Sequence, residues 1–278
     1  MKVTALLENT SCKEGIEAEH GLCLFIETKE KNILFDTGAS AMFAKNAKKL
    51  NVDLAQVDFA VLSHGHYDHS GGLKTFLALN DKAPIYLRKA AFGPYYSQRE
   101  EDTYEFIGID ESLLSNNRVI FTGEETPLDE GISLFSNVRG ERFFPTGNKS
   151  LLKKIPDGYE EDDFSHEQNL VIEEDGLSLL VSGCSHRGIV NIVEHFHSLF
   201  GHYPTHVIGG FHLYNHRTGE PESRETLHKI ADALLESGAT YYTCHCTGEQ
   251  NFQMLRTFMG DKVEYLPGGR TLPLEAIQ

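Results

Sequence analysis

The 278-residue chain is short of positive charge: 25 Lys and Arg face 41 Asp and Glu, a formal net charge of −16 at pH 7. A partner gripped through its phosphate backbone demands clustered basic residues, so nucleic acid is not the expected partner. A small anionic substrate stays open, because a bound metal or one arginine can reverse the sign inside a cleft. Long apolar runs are also missing. None approaches the roughly 20 residues of a membrane span, and the opening stretch MKVTALLENTSC is too polar for a secretory signal. Cysteine is sparse and odd in number. Cys12, Cys23, Cys184, Cys244 and Cys246 read as the reduced thiols of a cytoplasmic protein, not as a disulfide framework. There is no internal repeat, low-complexity tract or Pro- or Ser-rich linker. No Ser-His-Asp order or nucleophile elbow is visible, so no covalent nucleophile is expected.

What is present is an ordinary globular composition, 40% hydrophobic and 24% charged, with chain enough to bury a substantial core. KVTALLE, GLCLFIET and KNILFDTG read as early strands between turn signals. SAMFAKNAKKLNV carries a helical face of Met42, Phe43, Ala47 and Leu50, with Ser40 as a candidate cap. DFAVLS is a short buried strand, LKTFLALN a helix and APIYLR another strand. NLVIEEDGLSLLVSGCSH reads as a hairpin about Asp175-Gly176. After it, RGIVNIVEHFHSLFG, THVIGGFHL, SRETLHKIADALLESG and ATYYTCHCTG alternate helix and strand. Sheets inside and helices outside are therefore expected in one domain spanning 1–278. Roughly 90–165 mixes aromatics with acids around two strands, NRVIFTG and GISLFSNV, and is expected to be an insertion or lid, since Tyr95, Tyr96, Tyr104 and Phe106 are costly to leave in water.

The 14 histidines carry the chemistry. In VLSHGHYDHSGG, residues 61–72, three histidines and an aspartate fall within six positions at the end of an apolar run. Side chains at i and i+2 of extended backbone point the same way, so His64 and His66 can hold one ion. Asp68 and His69 follow where the chain turns, and can face a second. Imidazole nitrogen and carboxylate oxygen suit Zn²⁺, and catalytic sites keep one coordination position open. Elsewhere Asp36, His186, His212 and His245 end strand-like runs, and strand ends gather on one rim of a sheet. Two divalent cations are expected there, zinc first, with manganese or iron as alternatives.

SHGHYDHSGG resembles the HxHxDH signature of the metallo-β-lactamase superfamily. LLENTS, ILFDTG, SGCSHRGIVN, IGGFHL and HCTG extend the resemblance across nearly the whole chain, towards the subgroup of 7,8-dihydropterin-6-methyl-4-(β-D-ribofuranosyl)-aminobenzene 5′-phosphate synthases. The resemblance implies an α/β (α+β) fold, a four-layer αββα sandwich of two mixed sheets flanked by helices. It implies His64, His66 and His186 around one ion and Asp68, His69 and His245 around the other. Asp36 would orient a ligand histidine from behind, and Cys184 is placed with it at one remove from the ions. Many superfamily members carry a bridging Asp after a strand, in a GD pair; SGCSH has Cys184 near that position. A thiolate bridge and no protein bridge are both open, and His166 is an alternative third ligand for the first ion. His212 is a spare ligand or a proton donor beside the substrate, so Asp68 and His212 are the catalytic candidates.

The chemistry expected is hydrolysis: hydroxide held by two cations attacks an ester, lactone or phosphoester, since metal-bound water has a pKa lowered to about 7. The subgroup's name implies instead a condensation that releases pyrophosphate, with Arg187 and Arg270 as charge-assisted substrate contacts. The substrate is expected to be a small molecule, phosphorylated or heterocyclic. An iron-dependent redox enzyme and a non-catalytic metal-binding module are the readings from other classes.

Overall fold

The computed structural model describes residues 1–99, 103–215 and 217–276. Two seven-stranded mixed sheets face each other. The first runs, in spatial order, Thr271–Pro273, Lys2–Leu7, Cys23–Glu27, Asn32–Phe35, Phe59–Val61, Ile85–Arg88 and Val119–Thr122. Its first four strands pair antiparallel and the rest parallel. The second runs Val263–Tyr265, Thr240–Thr243, His206–Gly209, Leu177–Val181, Gln168–Glu174, Ile132–Ser136 and Glu125–Asp129. There the first four are parallel and the last pairings antiparallel.

Period-two alternation builds the layers. Leu24 and Ile26, Ile33 and Phe35, and Leu179 and Val181 point into the apolar layer between the sheets. Their neighbours Phe25 and Leu34 face outward against the helix Met42–Lys49 through Phe43 and Ala47. Leu180 faces the other way, against the helices Ile189–Phe200, Arg224–Glu236 and Glu249–Met259. The result is the four-layer αββα sandwich. Among the described residues no helix is long and apolar enough to cross a membrane.

The stretch expected as an insertion divides. Val119–Thr122 and Glu125–Asp129 are edge strands of the two large sheets, and Ile132–Ser136 lies just inside the second sheet's edge. Tyr95–Gln98, Tyr104–Phe106, Leu151–Ile155 and Gly158–Glu161 form a separate four-stranded sheet. Tyr95 is buried with its hydroxyl donating to Ala90 O, whereas Tyr104 stacks on Tyr159 near the surface. Residues 100–102 of the stretch lie outside the described residues.

Candidate metal centre

The parallel strands of both sheets end on one rim, and the chemistry-bearing residues follow those ends. Asp36 follows Asn32–Phe35, His64 follows Phe59–Val61, Cys184 and His186 follow Leu177–Val181, His212 follows His206–Gly209, and His245 follows Thr240–Thr243. Close approach of the two sheets' loops needs glycine: a Cβ on Gly183 would stand 2.2 Å from Ser63 Oγ. Asp36, Ser185, His212 and His245 all hold positive φ, between 49° and 59°. Such conformations are sparsely populated by non-glycine residues, and they cluster where a site needs side chains aimed off the regular path.

Two nests of donors result. In one, His64 Nε2 and His186 Nε2 are 3.3 Å apart, with Cys184 Sγ near both. In the other, His69 Nε2 lies 3.1 Å from His245 Nε2 and 3.1 Å from Cys184 Sγ. Asp68 Oδ2 is 3.5 Å from His69 Nε2 and 3.2 Å from His245 Nε2. All these side chains are buried.

The protons can be traced. Ser63 spends its hydroxyl hydrogen on Asp36 Oδ2 at 2.7 Å, so it accepts from His64 Nδ1 at 2.8 Å. His69 Nδ1 donates to Asp36 Oδ2 at 2.6 Å. His186 Nδ1 donates to Asn148 Oδ1 at 3.0 Å, while the same amide's Nδ2 donates to His186 O at 2.7 Å. His245 Nδ1 donates to Asn9 Oδ1 at 2.8 Å. Every one of these rings therefore carries its hydrogen outward, and its Nε2 lone pair faces inward. Lone pairs about 3.3 Å apart are what two nitrogens at 2.0–2.1 Å from one tetrahedral Zn²⁺ require. The donor set fits divalent cations.

Electrostatics agree. Burial first, and the neighbouring imidazoles after it, push His64 and His186 well below the ordinary histidine range. Burial likewise brings His245 down to about 3. Burial would lower His69 too, but the Asp36 and Asp68 carboxylates outweigh it and raise its pKa. Asp68 is held well below the usual carboxylate range, because His69, His20 and His245 overcome its burial.

The remaining expected residues are distributed as follows. His66 packs edge-on against His64 and His186, with ring centroids 4.6 and 4.9 Å away. Its Nε2 is buried without a hydrogen-bond partner, 3.9 Å from Asp162 Oδ2. His166 is saturated: Nδ1 accepts from Gly65 N at 3.0 Å and Nε2 donates to Asp162 at 3.0 Å. With His66 and Asp162 it forms a further group of side chains whose atoms lie close enough to hold an ion. Cys184, expected at one remove from the ions, stands among the ligand atoms. His212 lines the cleft with its ring 4.2 Å from that of His186.

Neither arginine expected at the substrate lines the cleft. Arg187 lies over Phe144 and donates to Val138 O, and Arg270 pairs with Glu264 and donates to Tyr265 O. Both are spent on backbone carbonyls and local contacts. Arg99 lines the cleft instead, paired with Glu105. The cleft, a cavity of about 160 Å³, is further walled by His20, Tyr67, Ile107 and Leu151.

Sequence reasoning missed the clamps behind the distal histidines. Glu8 and Glu167 are fully buried carboxylates. Glu8 Oε1 accepts from His245 N at 2.6 Å, and Glu167 Oε1 accepts from His186 N at 2.6 Å. Each distal histidine is thus held by one glutamate at its backbone and one asparagine at its ring. The only available signal was LLENTS, which contains Glu8 and Asn9 but announces no role.

Comparison with known proteins agrees with this architecture. The sequence profile of the metallo-beta-lactamase superfamily matches residues 16–219. An uncharacterised protein of Methanocaldococcus jannaschii is 31% identical over 252 residues, covering 88% of this chain and 90% of that protein. From the same organism, 7,8-dihydropterin-6-methyl-4-(β-D-ribofuranosyl)-aminobenzene-5′-phosphate synthase is 29% identical over 273 residues, covering 92% and 90%. A crystal structure described as a metal-dependent hydrolase of the β-lactamase superfamily superposes with a TM-score of 0.82 at 33% identity, covering 99% of both chains.

Proposed function

The chain belongs to the metallo-β-lactamase superfamily, and from that premise we propose that it is a metal-dependent hydrolase of a small ester, lactone or phosphoester. The observation that carries this reading is the convergence of four inward Nε2 lone pairs, from His64, His186, His69 and His245, beside Asp68 and under an open cleft. His64 and His186, with His66 packed on them, would hold one cation; Asp68, His69 and His245 would hold a second. Cations in such sites polarise substrate oxygens and acidify water to a pKa of about 7.

The chain's own residues do the rest. Asp36 and Ser63 fix the tautomers of His64 and His69, so that no ligand nitrogen turns away. Tyr67, Ile107 and Leu151 give the substrate an apolar wall, and Arg99 at the same wall offers a contact for an anionic group. His212 is in reach of a leaving group bound in the cleft and is the candidate proton donor. Zinc is the first expectation for both ions.

Chelated protein should not turn over ester, lactone or phosphodiester probes, and Zn²⁺ or Mn²⁺ should restore turnover. Activity that survives complete metal removal rejects the reading. The 29% identity to a synthase favours a second reading, condensation with diphosphate release. It would appear as diphosphate liberated only when a pterin diphosphate and a ribosyl-aminobenzene phosphate are supplied together.

A further inference from the structure

Resting on that reading of the site, we propose that His20 is a positioning residue for the second cation, its Nε2–H holding the Asp68 carboxylate in place from the cleft side. The backbone brings the two residues together. Leu22 N donates to Asp68 O at 3.2 Å, and a Cβ on Gly21 would stand 2.5 Å from the same oxygen. Only glycine at 21 allows so close an approach. The His20 side chain comes down on the Asp68 carboxylate, with Nε2 3.3 Å from Oδ2.

Asn9 fixes which ring nitrogen of His20 carries the hydrogen. Its Oδ1 accepts from Gly21 N at 3.2 Å and from His245 Nδ1 at 2.8 Å. Its Nδ2 is therefore the group that faces His20 Nδ1, at 3.4 Å. An amide nitrogen only donates, so His20 Nδ1 accepts and the neutral ring carries its hydrogen on Nε2, directed at Asp68. One amide thus sets two histidines in opposite senses. His245 presents a lone pair to the ion, and His20 presents a hydrogen to the carboxylate.

The division of labour around Asp68 follows. His20, His69 and His245 each place Nε2 within 3.5 Å of Asp68 Oδ2. His69 and His245 have spent their ring hydrogens on Asp36 and Asn9, so His20 is the imidazole left to donate. A carboxylate already held by a donor loses less freedom when an ion arrives, and the ion is bound more tightly for it. The His20 side chain is 41% exposed at the cleft wall, so changing it should leave the metal-free fold intact.

Two full-length variants separate the hydrogen bond from the ring. His20→Phe keeps a ring beside that of His245, 4.9 Å away between centroids, and loses the donor. His20→Gln loses the ring and keeps an N–H donor. Zinc affinity is read by competition with a chromogenic chelator, and folding by thermal unfolding of the metal-free chains. Wild type should bind two zinc ions. His20→Phe should hold one of them about 10-fold more weakly and the other unchanged; His20→Gln should recover most of the loss. Two zinc ions held by His20→Phe at wild-type strength overturn the inference and leave the metal centre standing. A loss in His20→Gln as large as in His20→Phe, or larger, assigns the effect to the ring and overturns it too. Should His20→Phe not fold, His20→Ala takes its place with the same expectation. Metal-free melting well below wild type in both His20→Phe and His20→Ala makes the residue a packing element and overturns the inference as well. Failure of the wild type to bind zinc at all would bring down both this inference and the function it rests on.

Discussion

His64 Nε2 and His186 Nε2 face each other at 3.3 Å, and each ring's hydrogen is committed on its far side, to Ser63 and to Asn148. Burial depresses both pKa values, so a proton does not settle between them. A cation relieves that repulsion and a chelator restores it. Metal should therefore stabilise the fold strongly. Free zinc at a thousand times its dissociation constant contributes about 4 kcal/mol per site, and thermal unfolding with and without chelator should show a melting temperature several degrees higher with zinc. An unchanged transition would mean that the nests do not bind.

The asparagines should act each on its own ion. Asn148→Leu removes the acceptor for His186 Nδ1, and Asn9→Leu removes the one for His245 Nδ1. Losing such an orienting partner lowers metal affinity or activity by about 10–100-fold. Titration against a chromogenic chelator should show one weakened zinc per variant with the other nearly untouched. Equal weakening of both ions in each variant would contradict the assignment of separate clamps.

Glu8 is a stability prediction as much as a site prediction. Its carboxylate accepts from His245 N, Tyr265 OH and Thr10 N, each at 2.6 Å. A buried donor left unpaired costs about 1–3 kcal/mol, so Glu8→Ala should lose more than about 2 kcal/mol in urea unfolding of the metal-free protein, and Glu8→Gln less. A loss near zero would show that water or relaxation replaces these contacts.

Metal-free protein should lose stability in mild acid. His245 is held neutral down to about 3, and His64, His66 and His186 are also lowered, burial being the first cause in each. Unfolded, these imidazoles titrate near 6.5. Below that pH the unfolded chain binds protons that the folded chain refuses, so stability rises with pH and falls as pH drops from about 6.5 towards 3. His69 works the other way: its raised pKa adds stability at low pH that is lost as pH rises through its folded value. One group opposes four. Urea unfolding of chelated protein from pH 7.5 to 5 should therefore give a falling midpoint; a flat or rising one contradicts the burial assigned to these rings.

Much of this architecture was legible in the chain because it is local. The i, i+2 spacing of His64 and His66, the turn after them, and the Asp175-Gly176 hairpin are short-range patterns, and the strand ends placed Asp36, His186, His212 and His245 on one rim. The clamps were not legible. Glu8 meets His245 across 237 positions and Asn148 meets His186 across 38, so no periodicity announces either. The arginines misled for a related reason: Arg187 sits one residue from His186, yet its guanidinium lies towards Val138 and Phe144. In the middle of the chain NRVIFTG and GISLFSNV were legible as strands, but the acids and aromatics around them gave no sign of which sheet they join. In fact Val119–Thr122 and Ile132–Ser136 pair with core strands, while the strands on either side build the cleft's outer wall.

The most direct measurement is anomalous diffraction at the zinc edge from crystals of zinc-loaded protein. The account predicts two peaks, one about 2.0–2.1 Å from the Nε2 atoms of His64 and His186, the other at the same distance from those of His69 and His245. No peak at these positions, or density only among His66, Asp162 and His166, would contradict it.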